Sequence, residues 1–171
     1  MAVSAYGSKT GTPVFFCHGW PSSRTMAELT DSAARELGLR IISPDRPGIR
    51  DSSLQPDRKL LDWPPLLAEL ADQIGIAEFR ILAISGGAPY AFAAASAMPE
   101  RVRAIAVVSG AAPLAELKDR SGLLALYRWL LFFYPRHREL LRFSFHLARP
   151  FLSLKVPIRF RPLLLKLLQP C

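Results

Sequence analysis

The chain has 171 residues, 50% of them apolar and 21% charged, a length and balance that suit one folded domain and exclude a disordered segment. The formal net charge of +8 is lopsided: residues 1–117 carry 11 basic and 12 acidic side chains, residues 118–171 carry 11 basic and 2 acidic. The only cysteines are Cys17 and Cys171, which is no basis for a disulfide framework or a metal cluster and fits a reducing compartment.

Residues 1–7 have neither a basic flank nor an apolar stretch, so no secretory leader is expected and the location is read as cytoplasmic. The first clear element is Val14-Phe15-Phe16-Cys17, a continuous apolar run of the kind found in strands covered on both faces. Phe16-Cys17-His18-Gly19-Trp20-Pro21 closes it. A helix is then expected with Ser22 or Ser23 as N-cap, Met26, Leu29, Ala33 and Leu37 on its buried face, and Gly38 as its stop.

Ile41-Ile42-Ser43 reads as the next strand, followed by the loop Pro44-Asp45-Arg46-Pro47-Gly48, where Asp45 and Arg46 are expected to form a local ion pair that fixes the loop. A second helix starts near Asp62, tolerates Pro64 in its first turn, buries Leu67, Leu70, Ala71 and Ile74 and ends at Gly75. Ile81-Leu82-Ala83-Ile84 is a strand, Ala88 to Met98 an alanine-rich helix stopped by Pro99, and Ile105-Ala106-Val107-Val108 a further strand. Strands alternating with helices predict a parallel sheet with helices on both faces. After Gly110 only helical segments are expected, near 121–133, 136–148 and 157–169, separated at Pro135 and at Pro150 to Pro157.

The turn Ala83-Ile84-Ser85-Gly86-Gly87 joins a buried strand to a helix, the setting a nucleophile elbow requires. Small residues at 83 and 87 let strand and helix close around a strained serine, and the helix N-terminus behind it favours developing negative charge. His18 invites a catalytic reading, but beside Gly19 at a strand end its expected work is to hold the loop by hydrogen bonds. The metal-ligand spacings, phosphate-cradling loop and dinucleotide fingerprint are lacking, so no metal and no cofactor are expected.

In this order and spacing, His18-Gly19-Trp20-Pro21, Asp45-Arg46-Pro47-Gly48 and Ile84-Ser85-Gly86-Gly87-Ala88-Pro89-Tyr90-Ala91 resemble the α/β-hydrolase fold family, in particular its serine hydrolases with a helical cap. The resemblance implies a partial parallel-sheet α/β core over 1–113 followed by a helical cap region over 114–171. It implies Ser85 as nucleophile, the backbone N–H groups of Trp20 and Gly86 as oxyanion hole, and His18, Gly19, Asp45 and Arg46 as loop support. An aspartate stands at the nucleophile position of the family's epoxide hydrolases and haloalkane dehalogenases, so Ser85 points to a small apolar ester or related acyl substrate.

The sequence departs from the family at Ala83 and Arg50, where glycine is usual, and few residues precede Val14, so the family's first two strands are expected to be missing or reduced to one. In the family the acid and then the histidine follow the cap, whereas here the histidines after Ser85 are His137 and His146, on a predicted helix among arginines. The chain is therefore expected to be incomplete or weakly active, with the strand at 105–108 left as an exposed sheet edge and marginal stability as the result. Two alternatives keep other classes open: a non-catalytic binding protein, homo-oligomeric or completed by another polypeptide, and a peripheral membrane binder using the basic helices of 118–171. Nucleic acid is not an expected partner, because the basic residues sit among Leu and Phe. The longest apolar stretch, 123–134, is interrupted by Arg128 and too short to span a bilayer.

Overall fold

A computed structural model describes residues 1–111, 117–119, 121–123 and 125–153. The chain divides into two compact units, Met1–Ala112 and Pro113–Cys171. The first contains a five-stranded sheet formed by β1 (Val3–Gly7), β2 (Thr12–Cys17), β3 (Leu39–Pro44), β4 (Phe79–Ile84) and β5 (Val102–Val108). Their spatial order is β1-β3-β2-β4-β5, with β1 antiparallel to β3 and every other pairing parallel.

Alternation along β2 sorts the core. Phe15 and Cys17 face one layer with Ile42, Ile81 and Ala83, covered by α2 (Trp63–Gln73) and α3 (Ala88–Ala97); Val14 and Phe16 face the other with Ile41, Ala27 and Ala34, covered by α1 (Asp31–Glu36) and the 3-10 turns before it. Burial on both faces is why β2 reads as an unbroken apolar run. The largest buried side chains are Trp63, Phe15, Phe16 and Phe79, and Phe15 and Phe79 meet edge to face with centroids 4.7 Å apart.

The sequence conceals β1. Val3-Ser4-Ala5-Tyr6-Gly7 has little apolar content because it is an edge strand, with Val3 and Ala5 exposed and only Ser4, Tyr6 and Gly7 half-buried. The first helix also differs from expectation. Residues Arg24–Thr30 form 3-10 turns before α1 begins, and the change in residues per turn rotates the buried face, so that Ala27 and Ala34 are buried while Leu29 and Leu37 are exposed. The stops hold: Gly38 and Gly75 take φ of +63° and +71° just past their helices, a conformation that favours glycine.

β5 pairs with β4 and, among the described residues, with no other strand, and Val107 and Val108 are exposed on it. In the second unit, α4 (Ala125–Phe133) precedes α5 (Arg138–Ser153). α5 runs through Pro150, which the sequence reading places at a break; Pro150 sits three residues before the helix end, where a missing N–H removes only one late bond. The predicted helix at 157–169 lies outside the described residues.

Candidate active site

Three strand ends build one site, because parallel strands deliver their carboxyl ends to the same edge of the sheet. β4 delivers Ser85, which leads through a 3-10 turn, Ser85–Gly87, into α3. Its φ is +49°, in the left-handed region that costs a side-chain-bearing residue about 1–2 kcal/mol. Close packing maintains that strain. A Cβ on Gly87 would stand 2.0 Å from the Cys17 carbonyl oxygen, so only glycine lets α3 settle against the end of β2. Ser85 is half-buried, and its Oγ makes no hydrogen bond among the described residues.

β2 delivers His18-Gly19-Trp20-Pro21, whose Trp20-Pro21 bond is cis. This loop lies directly against the turn at Ser85: a Cβ on Gly19 would be 3.3 Å from Ser85 Cβ, and one on Gly86 would be 3.5 Å from Trp20 N. The Gly19 carbonyl accepts three hydrogen bonds, from His18 Nδ1 at 2.9 Å, Ser22 N at 3.3 Å and Arg46 Nη2 at 3.3 Å. With that carbonyl fixed, the Trp20 N–H is engaged by no acceptor among the described residues. The Trp20 and Gly86 amides thus lie close together on opposed turns, beside the Ser85 hydroxyl.

Because a carbonyl can only accept, His18 Nδ1 carries the proton. His18 Nε2 lies 3.9 Å from Asp45 Oδ1 and makes no hydrogen bond, so neither ring nitrogen bonds to Ser85. Burial, reinforced by the Arg46 charge, pushes His18 below the ordinary histidine value of 6.5. Between that lowered value and 6.5 the unfolded chain binds a proton that the folded chain refuses, so stability rises with pH through this window. The urea midpoint is expected to be lower at pH 5.5 than at pH 7.5. His18→Asn should flatten the dependence, and an equal slope in the variant would show that His18 is not its source.

β3 delivers Asp45 and Arg46, both buried. The expected ion pair between them does not form, since adjacent residues of extended chain point to opposite sides. Asp45 instead binds Arg24, through the Arg24 backbone N–H at 2.6 Å and the guanidinium. Arg24 also reaches Asp51 at 2.6 Å, and these two carboxylates raise its pKa. Arg46 donates to the His18 carbonyl as well as to Gly19, and its guanidinium lies 4.7 Å from the centroid of the Tyr90 ring. Burial pushes the Cys17 thiol up to about 12, against the pull of the Arg46 charge, which makes Cys17 a packing residue.

His137 and His146 belong to the second unit, where both are exposed. No group of three or more metal-ligating side chains occurs among the described residues. A surface cavity of about 850 Å³ opens beside Tyr6, Asp31 and Arg40. It lies at the amino end of β3, opposite the strand ends that carry Ser85.

Residues 12–169 match the sequence model of the alpha/beta hydrolase fold. The uncharacterized hydrolase YcgS of Bacillus subtilis (strain 168) is 33% identical over 99 residues, 58% of this chain and 34% of that protein. A thermophilic esterase from Thermogutta terrifontis superposes with a TM-score of 0.59 at 26% identity, covering 67% of this chain and 43% of that one. An alpha/beta hydrolase fold protein from Nakamurella multipartita superposes at 0.57 and 28% identity, covering 80% and 48%. The match thus spans about a third of the curated relative's length and less than half of either solved structure's.

Proposed function

The chain belongs to the alpha/beta hydrolase fold family, and from that premise we propose that it carries the nucleophile and oxyanion hole of a serine esterase. Ser85 Oγ attacks the carbonyl carbon of a small apolar ester, the hydroxyl proton is passed to the departing oxygen so that the alcohol leaves, and the acyl group stays on Ser85 until water releases it as the acid. The negative oxygen of each tetrahedral intermediate is held by the backbone N–H groups of Trp20 and Gly86. His18, Gly19, Asp45 and Arg46 keep the Trp20 amide in place. The observation that carries this reading is the left-handed φ of Ser85 at a strand-to-helix turn that opens α3, with the Trp20 and Gly86 amides gathered beside it. The likeness to a thermophilic esterase supports the substrate class.

The general base comes from outside the described surroundings of Ser85, since neither ring nitrogen of His18 bonds to the serine. Without a base in contact with the serine, turnover falls by roughly 10⁶-fold. This chain by itself is therefore expected to hydrolyse p-nitrophenyl acetate slowly, with the whole of that rate above buffer lost in Ser85→Ala. A folded Ser85→Ala variant that keeps the rate would refute the assignment.

A second reading has one observation in its favour. On α5, Leu140, Phe143 and Leu147 recur at helical spacing and are all exposed, close to the exposed Arg136 and Arg138. Such a stripe suits an anionic lipid surface, and no described helix is long and apolar enough to cross a membrane. Co-sedimentation with phosphatidylserine vesicles but not with neutral ones would support it; equal recovery in both supernatants would remove it.

A further inference from the structure

Beside the strained serine stands another. β4 and β5 pair in register up to Ile84 opposite Val108, so Ser85 and Ser109 leave the sheet at the same level, and each has a φ of +49°. Each is followed by glycine, as Ser85-Gly86-Gly87 and Ser109-Gly110-Ala111. The chemistry proposed for the first serine does not use the second. A side-chain-bearing residue stays in the left-handed region only where its surroundings over-determine it.

Two contacts show what the second turn accomplishes. The Ala111 N–H donates to the Ser85 carbonyl at 3.0 Å. A Cβ on Gly110 would lie 2.6 Å from Val107 Cγ1 and 3.2 Å from Ala88 Cβ, so the turn is folded down onto the first residue of α3. The Ser85 carbonyl also takes the Ala88 N–H. That carbonyl and the Gly86 N–H belong to one planar trans peptide group and point in opposite directions, so whatever fixes the first fixes the second.

We infer that Ser109 is a positioning residue, whose left-handed turn brings Ala111 onto the Ser85 carbonyl and thereby aims the Gly86 N–H into the oxyanion hole. The inference rests on the role proposed above for Gly86. Glycine adopts the same backbone without strain, whereas a β-branched residue resists it.

The test compares Ser109→Gly and Ser109→Val with the unaltered chain by two readouts: exchange of the Ala111 amide proton, and the rate at which a fluorophosphonate adds to Ser85. Ser109→Gly is expected to match the parent in both. Ser109→Val is expected to speed Ala111 exchange at least tenfold and slow adduct formation at least tenfold, beyond the change in Arg103→Ala, a remote surface variant that reports general loosening. Unchanged Ala111 protection in Ser109→Val would overturn the clamp. Faster exchange with adduct formation no slower than in Arg103→Ala would overturn the positioning role. If the unaltered chain forms no adduct, the esterase reading fails, and Ala111 exchange still decides whether the clamp exists.

Discussion

Gly87→Ala should abolish or severely weaken folding of the first unit. The added methyl would sit 2.0 Å from the Cys17 carbonyl oxygen, 2.7 Å from its carbon and 3.0 Å from the His18 carbonyl oxygen. All three are backbone atoms at the end of a strand that pairs on both sides, so no side chain can swing away to make room. The residue's own φ of −77° suits alanine, which leaves steric overlap as the sole cause. Overpacking of this kind typically costs 1–3 kcal/mol, and a clash with strand backbone belongs above that range, at roughly 4 kcal/mol or more. Gly86→Ala is the control: its methyl meets Trp20 N at 3.5 Å, an ordinary contact. Urea denaturation is expected to leave Gly86→Ala within about 1 kcal/mol of the parent. Equal midpoints for the two variants would contradict the packing described here.

Arg46→Ala is the other change expected to act strongly. Arg46 is 6% exposed, and its guanidinium satisfies the His18 and Gly19 carbonyls from a buried position. Truncation takes the guanidinium donor from the His18 carbonyl, removes one of the three donors to the Gly19 carbonyl and opens a cavity beneath Tyr90, for a combined loss of about 3–4 kcal/mol. At about 2–4 °C per kcal/mol for a chain of this size, Tm should fall by about 10 °C. The loop that holds the Trp20 amide loosens with it, so adduct formation at Ser85 should also slow. Arg46→Lys should recover only part, because one ammonium cannot reproduce the fork that spans two carbonyls. A Tm within 2 °C of the parent in Arg46→Ala would mean that water replaces the guanidinium without loss.

The elements legible in the sequence are those whose signal is local. β2 shows itself by continuous apolarity, α2 by Pro64 and Gly75 at its two ends, and the Ser85 turn by small residues on either side of a serine between strand and helix. What escaped is set by tertiary pairing. Asp45 takes its cation from Arg24, 21 positions earlier, and nothing in the spacing singles out Arg24 from Arg46 next door. The 3-10 turns over Arg24–Thr30 shift the phase of the first helix, and a 3.6-residue pattern cannot anticipate that shift. β1 has too few apolar residues to stand out. Ser109-Gly110 did leave a signal, a Ser-Gly pair closing a buried-type strand as Ser85-Gly86 does, and only the shared register of β4 and β5 gives it meaning.

The most direct test of Ser85 is intact mass after prolonged incubation with a fluorophosphonate, on the unaltered chain and on Ser85→Ala. One adduct per chain is expected, forming slowly because no base contacts the hydroxyl among the described residues, and absent from the variant. Folded protein that takes up no label, or a variant that takes up as much as its parent, would contradict the assignment of Ser85 as nucleophile.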